Sequence, residues 1–159
     1  WGGGVWAGGL GVGGGAVWGA RLAAGGGGGP IQAAQHPETL AERQAHLEEL
    51  ETLLAAGRAQ RLQAAERYAR DARLAERIRL WQGWWRDVAL WCAGCQHLAA
   101  NLDRQATLAR AAQGRTLAEA HAALRATETA LLHLEQNVNS RLALEVLFLQ
   151  WPRLAAPDR

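Results

Sequence analysis

The stretch that decides the fold runs from Leu80 to Cys95 and reads LWQGWWRDVALWCAGC. It contains four of the eight tryptophans and continues a helical pattern that begins near Asp71. Steps of four, three, four and three residues place a set of apolar side chains on one face of an α-helix. That set is Leu74, Ile78, Trp81, Trp85 and Val88.

A second set of tryptophans falls on a neighbouring face of the same helix, because Trp84 and Trp91 are seven residues apart. A helix that is apolar over so much of its circumference is usually central, with other helices on several sides. Each tryptophan buries roughly 150–250 Å². We therefore expect a Trp-rich helix from Asp71 to about Ala93. We also expect that Trp84, Trp85 and Trp91 do not all enter one small core.

Composition bounds the class of protein. The chain has 159 residues, enough for one domain with a real core. Its formal net charge is only +2, so the overall charge of the chain does not indicate nucleic-acid binding. Two cysteines give no disulfide framework, and a reducing cytoplasm is the expected location. Because the chain contains no Met and opens on Trp1, we expect a fragment, a processed product or an incomplete gene model.

Residues 1–30 differ in composition from the remainder of the chain. They hold fifteen of the 19 glycines, and the first 20 residues carry no charge. We expect an irregular segment, because glycine loses much backbone entropy in a helix. A membrane span over residues 1–24 stays open on length alone. Gly25–Gly29 is not a P-loop, since no Lys-Ser or Lys-Thr follows it.

Capping signals divide the remaining chain into short helices. Pro37 suits a first helical position, and that helix should end near Ala56, before Gly57. A second helix should run from Arg58 to about Arg70, and Asp71 should cap the Trp-rich helix.

The second half of the chain carries similar signals. Asn101–Asp103 predicts a turn before a short helix that ends at Gly114. Thr116 and Glu119 form a capping box. Asn139 should cap a last helix, Ser140 to about Gln150. With no sustained period of two, residues 36–151 predict an all-α, antiparallel bundle of five to six helices.

The last two predicted helices each carry a row of residues at helical spacing, and the apolar stripe of the last helix should pack inside the domain. On the first of them, Ala120, Leu124, Thr127, Leu131, Leu134 and Val138 alternate steps of four and three. On the last helix, Leu142, Val146 and Leu149 share a face.

No arrangement of residues predicts catalysis, a cofactor or a metal. Cys92 and Cys95 form a Cys-x-x-Cys pair, but zinc needs two more ligands and no second pair exists. We expect both cysteines to be buried in a helix. The five histidines are scattered, so no base lies beside a nucleophile.

Seven arginines lie between Arg58 and Arg79. Such a cluster could neutralise DNA phosphates. We expect instead a solvated face, with acids three or four residues away.

Two motifs resemble those of the bacterial DNA polymerase III delta-prime family. One is Trp84-Trp85-Arg86-Asp87, followed by an apolar run and Ala-Gly-Cys at 93–95. The other, LEQNVNSRLALEVL over Leu134–Leu147, resembles that family's Asn-x-Asn-Pro-Arg-Leu-Ala-Leu-Glu segment, which the gamma/tau subunits share. Ser140 stands where many members have Pro. The resemblance covers about residues 31–153.

The resemblance implies a helical collar domain over residues 31–159, from one subunit of the clamp loader that places the sliding clamp on primed DNA. It implies gamma/tau-type and delta-type collar domains as partners, contact with DNA only through the assembly, and no membrane. Catalysis and nucleotide binding belong to upstream domains of that family. Residues 1–30 could then be a remnant of an upstream lid domain. The rival hypothesis is a membrane-anchored coiled-coil stalk, with a free enzyme as a third.

A collar implies residues that contact neighbouring subunits. Trp and Arg are frequent interface anchors. An Arg in the first turn of a helix opposes the helix dipole, which predicts a carboxylate partner for Arg141 within the domain or on a neighbouring subunit. The candidate interface residues are Trp84, Arg86, Trp91, Asn137, Asn139 and Arg141.

Overall fold

The computed structural model describes residues 37–154, which form six α-helices, two 3-10 turns and no strand. The predicted all-α bundle is confirmed. The predictions for residues 1–30, including a span over 1–24, lie outside the described residues. The helices are α1 (Pro37–Ala55), α2 (Arg58–Tyr68), α3 (Leu74–Cys92), α4 (Gln105–Ala112), α5 (Leu117–Glu135) and α6 (Ser140–Gln150), with 3-10 turns at Gln96–Leu98 and Leu102–Arg104.

None of these helices between residues 37 and 154 has the length and apolar character that crossing a membrane requires. The helices instead pack on one another. α3 contacts α1, α4 and α5, while α6 contacts α2 and α5. This packing differs from a continuous coiled-coil stalk.

α3 is the central helix, as its tryptophans predict. All five members of the predicted face are buried, and Trp81, Trp85 and Val88 are 0% exposed. Trp84 on the neighbouring face is also 0% exposed. Trp91 is only partly buried against the core, so the three tryptophans Trp84, Trp85 and Trp91 do not all enter it, as expected. Trp84 and Trp85 do share the core, because α1, α4 and α5 cover α3 on several sides.

An aromatic cluster joins α2, α3 and α6. Trp81 lies at its centre, with its ring centroid 5.4 Å from that of Tyr68, 5.8 Å from that of Phe148 and 5.5 Å from that of Trp151. All three contacts are edge-on, the arrangement that aromatic quadrupoles favour. The cluster therefore attaches the last helix to the middle of the chain.

The predicted caps lie close to their expected positions. The Thr116–Glu119 capping box is present, and Asn139 Oδ1 accepts a 3.1 Å hydrogen bond from the Leu142 N–H. Gly114 ends the α4 region with φ +68°, a conformation that favours glycine. The prediction that Asp71 caps α3 is wrong, because the helix begins at Leu74 and its N-cap residue is Arg73. Asp71 Oδ1 instead accepts a 2.9 Å hydrogen bond from the Arg73 N–H in the turn before the helix.

α6 packs through a different face from the one that the sequence predicts. Its buried residues are Ala143, Leu144, Leu147 and Phe148. Leu142, Val146 and Leu149 are 55%, 46% and 40% exposed, so the prediction that this stripe packs inside the domain is wrong. The helix is apolar on two faces, and α2 and α5 cover only one of them.

The residues from Ala120 to Val138 that repeat at helical spacing are buried to different extents. The positions that α5 buries are Ala120, Ala123, Thr127 and Ala130. Leu124, Leu131 and Leu134 pack partly buried against the core, and Val138 is 38% exposed. Small residues therefore form the deepest contacts of α5, and its leucines lie at the margin.

Candidate functional site

The exposed face of α6 carries a row of apolar side chains. We call Leu142, Val146 and Leu149 the α6 apolar stripe; steps of four and three residues keep them in line. A groove of about 620 Å³ runs beside the stripe, between α5 and α6. Val146 borders this groove, together with Ala126, Thr129 and other residues of α5. A rigid helix face beside a groove is suited to receive another helix.

Arg61 holds the end of α6 in place from inside the domain. Its side chain is 5% exposed, and its guanidinium donates to the carbonyls of Phe148 at 2.6 Å, Trp151 at 2.7 Å and Leu54 at 2.8 Å. The guanidinium of Arg61 thus donates to backbone carbonyls at the ends of both α1 and α6. Burial and the nearby Arg153 lower the pKa of Arg61.

The prediction of a solvated arginine face therefore missed Arg61. Its spacing did hold a signal, because Arg61 shares a helix face with Ala64, Ala65 and Tyr68, all of them buried. Other arginines of this region do meet acids. Arg70 pairs with Glu66 one turn away; Arg73 with Glu42 and Arg77 with Asp71 are longer-range pairs.

A second polar contact fixes α6 against α5. The indole N–H of Trp151 donates a 3.0 Å hydrogen bond to Thr127 Oγ1, and Thr127 donates to the Ala123 carbonyl at 2.8 Å. Both Trp151 and Thr127 are buried. The helix that carries the α6 apolar stripe is therefore held at its C-terminal end by Arg61 of α2 and by Thr127 of α5.

Three candidate interface residues lie together where α5 passes into α6. Asn137, Asn139 and Arg141 are all exposed, and Asn137 has φ +57°. Arg141 Nε donates to Glu145 at 2.8 Å, and this hydrogen bond raises the pKa of Arg141. The carboxylate partner that Arg141 was predicted to have is thus present within the domain.

The Trp-Trp-Arg-Asp motif organises the interior and one loop. Trp84 lies in the core and exposes no surface, whereas Arg86 is exposed and pairs with Asp87 at 2.9 Å. Asp87 is 0% exposed and accepts hydrogen bonds from the N–H groups of Ala100 at 2.9 Å and Asn101 at 2.7 Å.

Asp87 therefore ties α3 to the loop that precedes α4. Trp91 is partly buried near the end of α3. The six candidate interface residues are thus divided between the core, α3 and the start of α6.

The two cysteines are free and only partly buried. Cys92 is the last residue of α3, and burial raises the pKa of its thiol. Cys95 follows the helix, so the expectation of two buried helical cysteines is wrong. Between residues 37 and 154 no three His, Cys, Asp or Glu side chains gather in a group that could hold a metal ion.

Comparison with known proteins identifies the family. The family model described as DNA polymerase III, delta subunit, C terminal, matches residues 37–153, which is well over half of the chain and includes all six helices. The chain belongs to this family of DNA polymerase III delta C-terminal domains. Neither a curated protein nor a solved structure matches it.

Membership of the delta C-terminal family makes this chain part of a clamp-loader subunit of DNA polymerase III, with a role in DNA replication. The domain of this family is a non-catalytic part of the clamp loader. A domain of this kind interacts with other clamp-loader subunits, and the α6 apolar stripe is a candidate surface for such a contact.

Proposed function

We propose that this chain is the collar domain of a delta-prime-type subunit and joins other clamp-loader subunits without performing chemistry itself. The Trp84–Asp87 motif and the Leu134–Leu147 segment support the delta-prime type. In this proposal the partners are gamma/tau-type and delta-type collar domains in the cytoplasm, and DNA is reached only through the assembly.

The observation that carries the proposal is the second apolar face of α6. Its residues Leu142, Val146 and Leu149 remain 40–55% exposed while the opposite face is fully used by the core. An isolated exposed leucine needs no explanation, but a regular row of branched apolar side chains along one helix fits an interaction surface.

The polar residues beside the stripe fit the rim of such an interface. Arg141 and Glu145 pair across one turn at 2.8 Å, next to Leu142. Interfaces commonly place apolar contacts at the centre and solvent-accessible polar groups around them. The exposed Asn137 and Asn139 at the start of α6 extend the same rim.

Co-purification tests the proposal directly. The chain is mixed with gamma/tau-type and delta-type collar domains of the same organism and separated by size-exclusion chromatography. We expect a complex at about ten micromolar, since an interface of roughly 1,600 Å² in a stable machine binds more tightly than that. The melting temperature should also rise on mixing, because a partner that binds only the folded state stabilises it.

Two variants locate the interface. Val146→Glu places a charge on the exposed stripe and should abolish the complex while leaving the domain folded. Leu117→Glu is the matched control, because Leu117 is the first residue of α5 and is 49% exposed. This variant should bind the partners as the wild type does. Separate elution of the wild-type chain from both partners would overturn the proposal.

A further inference from the structure

A cleft of about 570 Å³ lies away from the α6 apolar stripe, between the end of α4, the start of α5 and the residues after α6. Its described lining is strongly basic. Arg110, Arg115 and Arg153 all border it, and Glu119 is the one acidic residue among its described lining.

Backbone carbonyls hold two of these arginines in place. Arg115 donates to the Ala111 carbonyl at the end of α4 and to the Arg153 carbonyl at 3.2 Å. Arg153 Nε in turn donates to the Ala55 carbonyl at 3.1 Å, at the end of α1. The Arg115 guanidinium also lies 5.8 Å from the Trp85 ring centroid. These contacts orient the two groups but give neither of them an ion pair among the described residues.

Arg110 has more unused donors than the other two. Within residues 37–154 it forms no hydrogen bond or ion pair, and its Nε is buried without a partner there. Glu51 interacts electrostatically with Arg110 but forms its ion pair with Arg104, at 3.5 Å. A guanidinium always carries its charge and offers five N–H donors.

The acidic residue of the cleft is already engaged. Glu119 accepts hydrogen bonds from the Thr116 backbone N–H at 2.7 Å and from Thr116 Oγ1 at 2.9 Å, and the backbone hydrogen bond lowers the pKa of Glu119. Its carboxylate therefore caps α5 and neutralises at most one of the three arginines. The described lining retains an excess of positive charge.

We propose that this cleft is a phosphate-binding site formed by Arg110, Arg115 and Arg153. The planar fork of a guanidinium matches the oxygens of a phosphate, and arginines already oriented by carbonyls lose less side-chain freedom on binding. The three arginines that line the cleft carry more positive charge than its one carboxylate neutralises, which favours a phosphate. The phosphate is either a free anion or a group on a nucleic acid, and the second case would add direct contact with nucleic acid to the proposed function, in which DNA is reached only through the assembly. Phosphate binding does not depend on the proposed subunit interface.

The test measures the affinity of the full chain for inorganic phosphate and for a roughly 20-nucleotide thymidine single strand. Isothermal titration calorimetry at constant ionic strength, with chloride as the reference anion, removes general screening. Arg110→Gln and Arg153→Gln should each weaken phosphate binding about tenfold, as expected for one charge-assisted hydrogen bond. Arg125→Gln is the matched control, because Arg125 is a 69% exposed arginine on α5 outside the cleft.

Each result decides the proposal. Phosphate binding that both cleft variants weaken and Arg125→Gln leaves unchanged supports it. Competition between the oligonucleotide and phosphate then assigns the site to nucleic acid, and binding of phosphate alone assigns it to a small anion. No binding by the wild-type chain at about 10 mM phosphate, or an equal loss in Arg125→Gln, would overturn it. Circular dichroism verifies folding, and either cleft variant suffices if the other is unfolded.

Discussion

The guanidinium of Arg61 donates a 2.7 Å hydrogen bond to the backbone carbonyl of Trp151, ninety residues further along the chain. The same group reaches Leu54, so one side chain satisfies carbonyls at the ends of both α1 and α6. The last carbonyls of a helix have no partner within it, and leaving them buried without a donor is unfavourable. Arg61 thus attaches the helix that carries the α6 apolar stripe.

Replacing this arginine should weaken the whole domain. Arg61→Met keeps the apolar stem but removes the donors to Phe148, Trp151 and Leu54, and we expect a loss of about 3 kcal/mol in the free energy of unfolding. Urea denaturation measures it. Arg58→Met on the same helix is the control, since Arg58 is exposed, and it should change stability by less than about 0.5 kcal/mol. Equal effects of the two variants would contradict the role of Arg61.

The central tryptophans should contribute strongly to stability. Trp85 is 0% exposed and stacks edge-on with Trp84 at 5.0 Å between ring centroids. Trp85→Ala leaves a large cavity and should reduce the free energy of unfolding by about 3–5 kcal/mol. Leu98→Ala, at a 59% exposed position, should change it by less than about 0.5 kcal/mol. A loss for Trp85→Ala as small as that of the control would place Trp85 outside the core.

The buried carboxylate of Asp87 should hold the loop before α4. Asp87→Asn keeps the shape but removes the charge that accepts the N–H groups of Ala100 and Asn101. We expect a loss of about 1–3 kcal/mol and faster hydrogen exchange at these two amides. Asp103→Asn, whose 41% exposed side chain pairs with Arg43, should leave both amides protected. Unchanged exchange in Asp87→Asn would rule out the anchoring role.

Stability should fall in acid partly through Asp71. The Arg73 backbone N–H and the Arg77 side chain donate to its carboxylate, both at 2.9 Å, and the backbone bond is the main cause of its lowered pKa. A carboxyl whose folded-state pKa lies below its ordinary value of 3.8 stabilises the fold above that value, and this stabilisation is lost as the pH falls through the folded-state pKa.

Asp71→Asn should therefore be less stable than the wild type at pH 7, and the difference in the free energy of unfolding should narrow as the pH falls below 3.8. Thermal melts at several pH values measure the gap. Glu76→Gln serves as the control, because Glu76 is an exposed carboxylate on α3 near the same arginines. Its stability should differ little from that of the wild type at each pH. A gap for Asp71→Asn that stays constant with pH would contradict linkage through this carboxyl.

Capping and turn residues in the sequence were sufficient to predict most of the helix ends. The capping box of Thr116 and Glu119, the cap at Asn139 and the turn at Gly114 each depend on residues within four positions of one another. Periodicity likewise identified the buried face of α3, because Leu74, Ile78, Trp81, Trp85 and Val88 repeat at the helical period. These features needed no knowledge of neighbouring elements.

The sequence pattern predicted the exposure of only some of the candidate interface residues. Asn137, Asn139 and Arg141 are exposed as an interface residue must be, yet Trp84 lies in the core. The α6 apolar stripe was assigned to the interior, because Leu142, Val146 and Leu149 repeat as regularly as the residues that are buried. A one-dimensional pattern cannot rank two apolar faces of one helix.

The sequence by itself determined that residues 37–154 are helical, where most of these helices start and stop, and that α3 is central. The tertiary structure alone decided which face of α6 is buried and that Arg61 lies inside the domain. The physical reason is the range of the interactions. Caps and helical periods act within a turn or two, whereas the choice of a buried face depends on surfaces of α2 and α5, and the carbonyls that Arg61 meets on α6 come from nearly ninety residues away.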